Sequence, residues 1–181
     1  GTLLQSYGTG TSFEELNLSH SEEVEKIHLS YLEAGADLIQ TNTYAANYLK
    51  LMRHGLEEQV REINTSAVRI ARKAAGQSPV LGTIGGNRGI RPTALPLEEI
   101  KRSFREQLYC LLLEGIDGLL LETYYDFEEL TAVLSIARKE TNLPIIAQVT
   151  LQETGILQNR LQLNDAFKRL EELGADVVGL N

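Results

Sequence analysis

Apolar residues recur along this chain with two alternating spacings. Val24, Ile27, Tyr31 and Leu32 share one helical face behind Ser19 and Glu22, which have the spacing of a capping box, and Gly35 ends the run. A short apolar strand from Asp37 to Thr41 follows. A brief helix around Tyr48 to Arg53 ends at Gly55, and a longer one carries Val60, Ile63, Ala67, Ile70 and Ala74 on one face up to Gly76. Pro79 leads into a strand from Val80 to Ile84 and then a glycine-rich loop, Gly85 to Gly89. Pro96 opens a helix with Ile100, Phe104, Leu108 and Leu111, and a strand from Gly118 to Glu122 comes next. Asp126 and Glu129 again have capping spacing, ahead of Leu130, Val133, Leu134 and Ala137. A strand from Pro144 to Thr150, a helix with Phe167 and Leu170 stopped at Gly174, and a strand from Val177 to Asn181 complete the pattern.

The strands are nearly continuous apolar runs, as in parallel sheets covered by helices on their faces. Two such architectures compete, a doubly wound sheet and a closed barrel. An internal repeat favours the barrel. Gly35-Ala-Asp37, Gly115-Ile-Asp117 and Gly174-Ala-Asp176 each end a helix and begin a strand, while Ile70-Ala-Arg-Lys73 and Ile136-Ala-Arg-Lys139 alternate with them. A unit of two strand–helix pairs that repeats suits a ring, where alternate strands are equivalent. A doubly wound sheet reverses its strand order midway and makes them inequivalent. Gly-Ala-Asp is also ordinary helix-stop chemistry. Barrels of this kind have eight strands in about 250 residues, so a chain of 181 residues with five strands is expected to be part of a ring.

Composition narrows the function. The formal net charge is −8 with acids and bases interleaved, which argues against a nucleic-acid partner. No apolar run approaches the ~20 residues of a membrane span, and no secretory signal is visible. Cys110 is the one cysteine, consistent with a reducing, cytoplasmic setting.

Barrel sites lie at the C-terminal ends of the strands. Seven residues after the glycine of each Gly-x-Asp start stand Asn42, Glu122 and Asn181, so polar groups end three strands at one level. Glu122 follows three leucines, and a carboxylate in such a place needs a cation or several donors. A substrate ammonium would serve; an internal arginine or a loop cap would serve as well. Thr41, Asn42 and Thr43 have the groups to orient a carboxylate, or to satisfy nearby backbone. Gly85-Gly86 permits close approach of a ligand or a tight turn, but lacks the residues of a phosphate loop. His20, His28 and His54 have no metal-ligand spacing and read as structural or surface residues. Cys110 reads as a small buried residue, Tyr124-Tyr125 as packing or a pocket wall, and the paired glutamates as solvated faces.

The stretches Gly35 to Tyr44, Leu119 to Thr123 with Asp126, and Gly174 to Asn181 resemble the homocysteine S-methyltransferase family, a (β/α)8 barrel that binds homocysteine. Within the family the likeness is greatest to bacterial members that carry a methylenetetrahydrofolate reductase on the same polypeptide, which makes such a domain an expected covalent partner. The resemblance implies that residues 1–181 supply about strands two to six of eight, as one partial barrel domain. It implies transfer of a methyl group from a donor, such as a folate or cobalamin derivative, to the homocysteine thiol, giving methionine. It further implies that Glu122 holds the substrate amino group and that Thr41 to Thr43 help orient its amino-acid end. Family members hold zinc through three cysteines, and zinc makes the thiol a thiolate at neutral pH. Gly179 to Asn181 match the motif before the first of these cysteines, Cys110 matches none of them, and Gly1-Thr2 resemble the tail of the family's first strand. The expectation is that the complete domain binds zinc and that these residues alone are inactive. The competing expectations are a barrel enzyme of lyase or pterin-binding type, and a non-catalytic barrel without zinc.

Overall fold

The computed structural model describes residue 4 and residues 12–89, 95–151, 157 and 161–181. Its elements run α1 (Leu16–Ser19), α2 (Ser21–Glu33), β1 (Ile39–Gln40), α3 (Tyr48–Leu51), α4 (Val60–Ala75), β2 (Val80–Gly85), α5 (Leu97–Leu113), β3 (Gly118–Tyr124), α6 (Phe127–Glu140), β4 (Ile145–Val149), α7 (Leu163–Glu172) and β5 (Val177–Leu180). The five strands form one parallel sheet in chain order, β1-β2-β3-β4-β5. Each strand therefore pairs with its successor. The order does not reverse, which removes the doubly wound alternative and gives the winding of a barrel wall. Among the described residues β1 and β5 each have one neighbour, so the ring is not closed within them.

Alternation along the strands sorts the two faces. Leu119, Leu121, Ile145, Ala147 and Val149 are fully buried against α5, α6 and α7, where Phe104, Leu108, Leu130 and Leu134 meet them. Each leucine sealed in this layer contributes about 2 kcal/mol. The partner positions Thr83, Leu120 and Glu122 face the other way, toward the barrel interior.

Glycine with φ of +95° at Gly35, +79° at Gly115 and +98° at Gly174 ends three helices, as the spacing predicts. The structure gives the interleaved repeat a physical reason. Asp117 Oδ2 accepts from the Val80 N–H at 2.7 Å and from Arg72 Nη2 at 2.7 Å, while Arg72 Nη2 also reaches the Gly115 carbonyl at 2.8 Å. One unit later, Asp176 Oδ2 accepts from the Ile145 N–H at 2.8 Å and from Arg138 Nη2 at 2.7 Å, and Arg138 Nε donates to the Gly174 carbonyl at 3.0 Å. The arginine of one motif thus clamps the glycine and aspartate of the next, at the N-terminal end of the sheet. Asp117→Ala is expected to cost about 1–3 kcal/mol. Most of that comes from stranding the N–H of fully buried Val80, because the exposed ion pair adds little. Thermal unfolding at neutral pH measures it, and an unchanged midpoint would reduce the repeat to helix-stop chemistry.

The capping box expected at Ser19 and Glu22 is not made. Ser19 closes α1 and donates to Glu15 Oε2 at 3.0 Å, while His20 occupies the N-cap of α2 with its ring on Ser19 Oγ and no side-chain bond to the helix N–H groups. Asp126 does cap α6, accepting from the Glu129 N–H at 2.9 Å. Its expected partner Glu129 turns elsewhere and binds the loop after β2. The strand from Asp37 to Thr41 is a ladder only over Ile39–Gln40, although the Thr41 N–H still reaches the Leu81 carbonyl at 2.9 Å. Contact with a single neighbour gives it little to pair with.

Candidate active site at the strand ends

A cavity of about 570 Å³ runs along β1, from the α2 face with Val24, Ile27 and His28 to the C-terminal ends of β2, β3 and β5. Glu122, Thr123, Thr41 to Tyr44, Thr83 and Asn181 line it. The predicted site residues Glu122, Thr41, Asn42, Thr43 and Asn181 are therefore brought together, but their side chains are engaged differently.

Glu122 Oε2 accepts from Asn181 Nδ2 at 3.0 Å, and the same nitrogen donates to Thr123 Oγ1 at 2.9 Å. Burial raises the Glu122 pKa, with the Asn181 amide and the charge of Lys50 opposing. Among the described residues no lysine, arginine or histidine forms an ion pair with it. Glu122 is thus a half-buried carboxylate that faces a cavity and has one neutral donor.

Thr41 and Thr43 are buried and satisfy one another. Their hydroxyls lie 2.6 Å apart, Thr43 Oγ1 donates to the Thr83 carbonyl at 2.7 Å, and the Thr83 N–H donates to Thr41 Oγ1 at 3.1 Å. Asn42 donates to the Phe13 carbonyl at 2.8 Å and to Asn17 Oδ1 at 3.1 Å, which ties the segment before α1 to the rim. Glu14 does the same from its side, accepting from the Ala45 N–H at 2.7 Å.

Sequence reasoning missed three residues here. Thr83 lies in an otherwise apolar strand, and its Oγ1 is buried with no hydrogen-bond partner, a free donor at the cavity wall. A lone hydroxyl amid Val-Leu-Gly-Thr-Ile-Gly was the available signal. Tyr44 covers the rim. Burial raises its pKa while the nearby Thr123 side chain opposes, so the phenol stays protonated. Lys50 stacks on that ring with Nζ 3.9 Å from the centroid. Burial lowers the Lys50 pKa to about 8, against the pull of Glu14, Glu129 and Glu122.

The Gly85-Gly86 pair is neither a ligand cradle nor a left-handed turn. A Cβ at Gly85 would lie 2.3 Å from Cε2 of Tyr44, and one at Gly86 would lie 3.0 Å from the Thr123 carbonyl. Glycine is required because a ring and a neighbouring strand press there.

His28 on α2 lines the far side of the cavity, buried, with Nε2 unpartnered. Burial depresses its pKa to about 4. The unfolded chain therefore binds this proton more tightly. Stability is fully present above the ordinary histidine range and is lost as pH falls from about 6.5 toward 4, by about 3 kcal/mol in total. His28→Phe is expected to flatten that acid limb. Unfolding midpoints between pH 7 and pH 4 for both proteins test it, and parallel curves would refute it.

Among the described residues no group of three or more histidine, cysteine, aspartate or glutamate side chains could hold a metal ion. Cys110 is buried on α5, in the outer helical layer, with its thiol pKa raised by burial. The described residues therefore do not fit a zinc site, and no chemical step is built on one. No helix among them is long and apolar enough to cross a membrane.

A parallel barrel wall with a largely apolar cavity that carries a few polar groups from the strand ends defines the class: an α/β-barrel protein with a candidate small-molecule site. The family model for homocysteine S-methyltransferase matches residues 1–181, and the chain belongs to that family. It is 31% identical to the methionine synthase of Mycobacterium tuberculosis over 182 residues, covering 93% of this chain but 15% of that protein. It is 29% identical to betaine–homocysteine S-methyltransferase 1 of Danio rerio over 172 residues, covering 92% of this chain and 42% of that protein. The metallated form of the homocysteine methyltransferase MmuM from Escherichia coli superposes with a TM-score of 0.86 at 24% identity, over 99% of this chain and 71% of that one. That likeness establishes the barrel fold.

Proposed function

We propose that this cavity receives the amino-acid end of homocysteine, in a protein that moves a methyl group from a donor to the homocysteine sulfur. A carbon–sulfur bond forms, the donor's bond to the methyl group breaks, the thiol proton leaves, and methionine is the product. Glu122 carries the reading, as a half-buried carboxylate open to the cavity with no cationic partner among the described residues. A substrate ammonium supplies the missing charge through a bond worth about 1.5–3 kcal/mol. Thr83 Oγ1, which has no partner among the described residues, offers a donor for the substrate carboxylate, while Thr41, Asn42 and Thr43, bonded among themselves and to their neighbours, shape the rim beside it. Family membership and the curated relatives support the reaction type. The resemblance read from the sequence extends the proposal to zinc in the complete domain, a folate or cobalamin derivative as donor, a methylenetetrahydrofolate reductase domain on the same polypeptide, and a cytoplasmic setting.

Calorimetric titration of the full-length protein with L-homocysteine and with 4-mercaptobutanoate, which lacks the amino group, tests the site. The wild type is expected to prefer homocysteine by roughly 10- to 100-fold. Glu122→Gln keeps the shape and removes the charge, and should abolish most of that preference. A variant that discriminates as the wild type does would take Glu122 out of the substrate site.

A further inference from the structure

β3 does not run true at its end. Leu121 is opposite Ala147 and Tyr124 is opposite Val149, so β3 advances three residues while β4 advances two. The extra residue is a β-bulge, and within it Thr123 has φ +57°, the one non-glycine among the described residues with positive φ. That conformation is unfavourable for a β-branched side chain. Bulges beside sites re-aim side chains, and the consequence can be read here from burial. Leu119 and Leu121 point into the helical layer, whereas Leu120 and Glu122 belong to the interior face. Uninterrupted alternation would turn Thr123 into the helical layer and Tyr124 into the cavity. With the bulge, Glu122 and Thr123 are consecutive and both line the cavity, and Tyr124, 1% exposed, returns to the core.

The bulge is accommodated from the neighbouring strand. The Gly86 N–H donates to the Glu122 carbonyl at 3.3 Å, and a side chain at Gly86 would meet Thr123 O at 3.0 Å and Tyr124 Cδ1 at 3.1 Å. What the arrangement gains is a junction of three alternate strand ends. Thr123 Oγ1 receives the Asn181 amide from the end of β5 at 2.9 Å, and the Tyr44 ring beyond β1 lines the same cavity. The same Asn181 nitrogen holds Glu122 Oε2.

We propose that Thr123 is a positioning residue for substrate binding: its left-handed backbone at the bulge places its hydroxyl beside Asn181, and Asn181 so held fixes the Glu122 carboxylate toward the substrate ammonium. This rests on the reading of the cavity as the homocysteine site. Backbone strain kept at a site, with function lost when it is relieved, is a recognised trade-off. It gives an unusual signature, because glycine tolerates positive φ and lacks the hydroxyl.

Thr123→Gly, Thr123→Ser and Glu122→Gln are compared in the full-length protein by thermal unfolding and by calorimetric titration with L-homocysteine and 4-mercaptobutanoate. Thr123→Gly is expected to unfold about 2 °C higher than the wild type. It should bind homocysteine about tenfold more weakly, with most of the preference over 4-mercaptobutanoate gone. Thr123→Ser should bind within about threefold of the wild type, since it keeps the hydroxyl. A merely structural threonine would not move the amino-group preference. If Thr123→Gly binds both ligands as the wild type does, or if Thr123→Ser is as impaired as Thr123→Gly, the proposal is overturned. If Glu122→Gln is silent, the homocysteine reading itself fails. Loss in Glu122→Gln with normal binding by Thr123→Gly defeats the positioning role alone.

Discussion

Gly85→Ala is expected to destabilise the protein by about 2 kcal/mol and to impair homocysteine binding at the same time. No positive φ stands in the way, so the backbone at residue 85 accepts alanine. The obstacle is spatial. The new methyl group would sit 2.3 Å, 2.5 Å and 2.8 Å from Cε2, Cδ2 and Cζ of Tyr44, well inside contact distance. The ring has little freedom to retreat, because Lys50 lies on its face and the Gly85 N–H holds the Tyr44 carbonyl at 3.0 Å. Displacing it opens the rim beside Glu122. Differential scanning calorimetry and homocysteine titration of the variant test both halves. Adding Tyr44→Ser should recover much of the lost stability without restoring binding, a non-additive cycle of the kind expected for residues in contact. An alanine variant as stable as the wild type would mean that the ring moves aside freely and that the glycine has another reason.

The frame of this fold was legible because it rests on local chemistry. Gly35, Gly115 and Gly174 end helices through positive φ, and strands covered on both faces announce themselves as unbroken apolar runs. Even the repeat of Gly-x-Asp with Ile-Ala-Arg-Lys was visible, although its meaning, an arginine of one unit clamping the aspartate of the next, needed the distance from Arg72 to Asp117 across 45 residues. The site was legible to the extent that it depends on strand register: Asn42, Glu122 and Asn181 do end their strands around one cavity. What the pattern could not supply was where each polar group spends its hydrogen bonds. Asn42 turns away to Phe13 and Asn17, Thr41 and Thr43 bond to each other and to Thr83, and Thr83 keeps a free hydroxyl. Alternation also gave no hint of the bulge, because one inserted residue leaves the apolar run intact and changes only which side chain faces inward. Glu129 shows the same limit, since a residue with capping spacing can be drawn off by a distant partner.

Glu129→Ala is expected to cost about 3 kcal/mol, and its cause lies in that distant partner. Glu129 is fully buried, yet it is paired with backbone rather than with a cation. Its Oε1 accepts from the Asn87 N–H at 2.6 Å and from Asn87 Nδ2 at 3.2 Å, and its Oε2 accepts from the Arg88 N–H at 2.9 Å. One carboxylate on α6 thereby fastens the loop that follows the Gly85-Gly86 pair. Arg88 then reaches back to Asp126 at 3.1 Å and to Glu128 at 2.9 Å. Burial raises the Glu129 pKa, and the Asn87 and Arg88 N–H groups oppose that rise without cancelling it. A raised folded-state value means that the native state binds the proton more tightly than the unfolded chain does. Stability from this group therefore declines as pH rises from the ordinary glutamate range through the folded value. Glu129→Gln removes that pH dependence and keeps one acceptor, so at neutral pH it should cost less than alanine, which strands both N–H groups and leaves a void. At roughly 2–4 °C per kcal/mol for a domain of this size, the alanine variant should melt about 6–12 °C below the wild type. Hydrogen exchange reads the mechanism directly, because the amides of Asn87 and Arg88 should lose protection in Glu129→Ala while those of Leu119 and Leu121 in β3 keep theirs. Unchanged protection at residues 87 and 88 would show that the loop is held by Arg88 and its ion pairs, and that the buried carboxylate is dispensable.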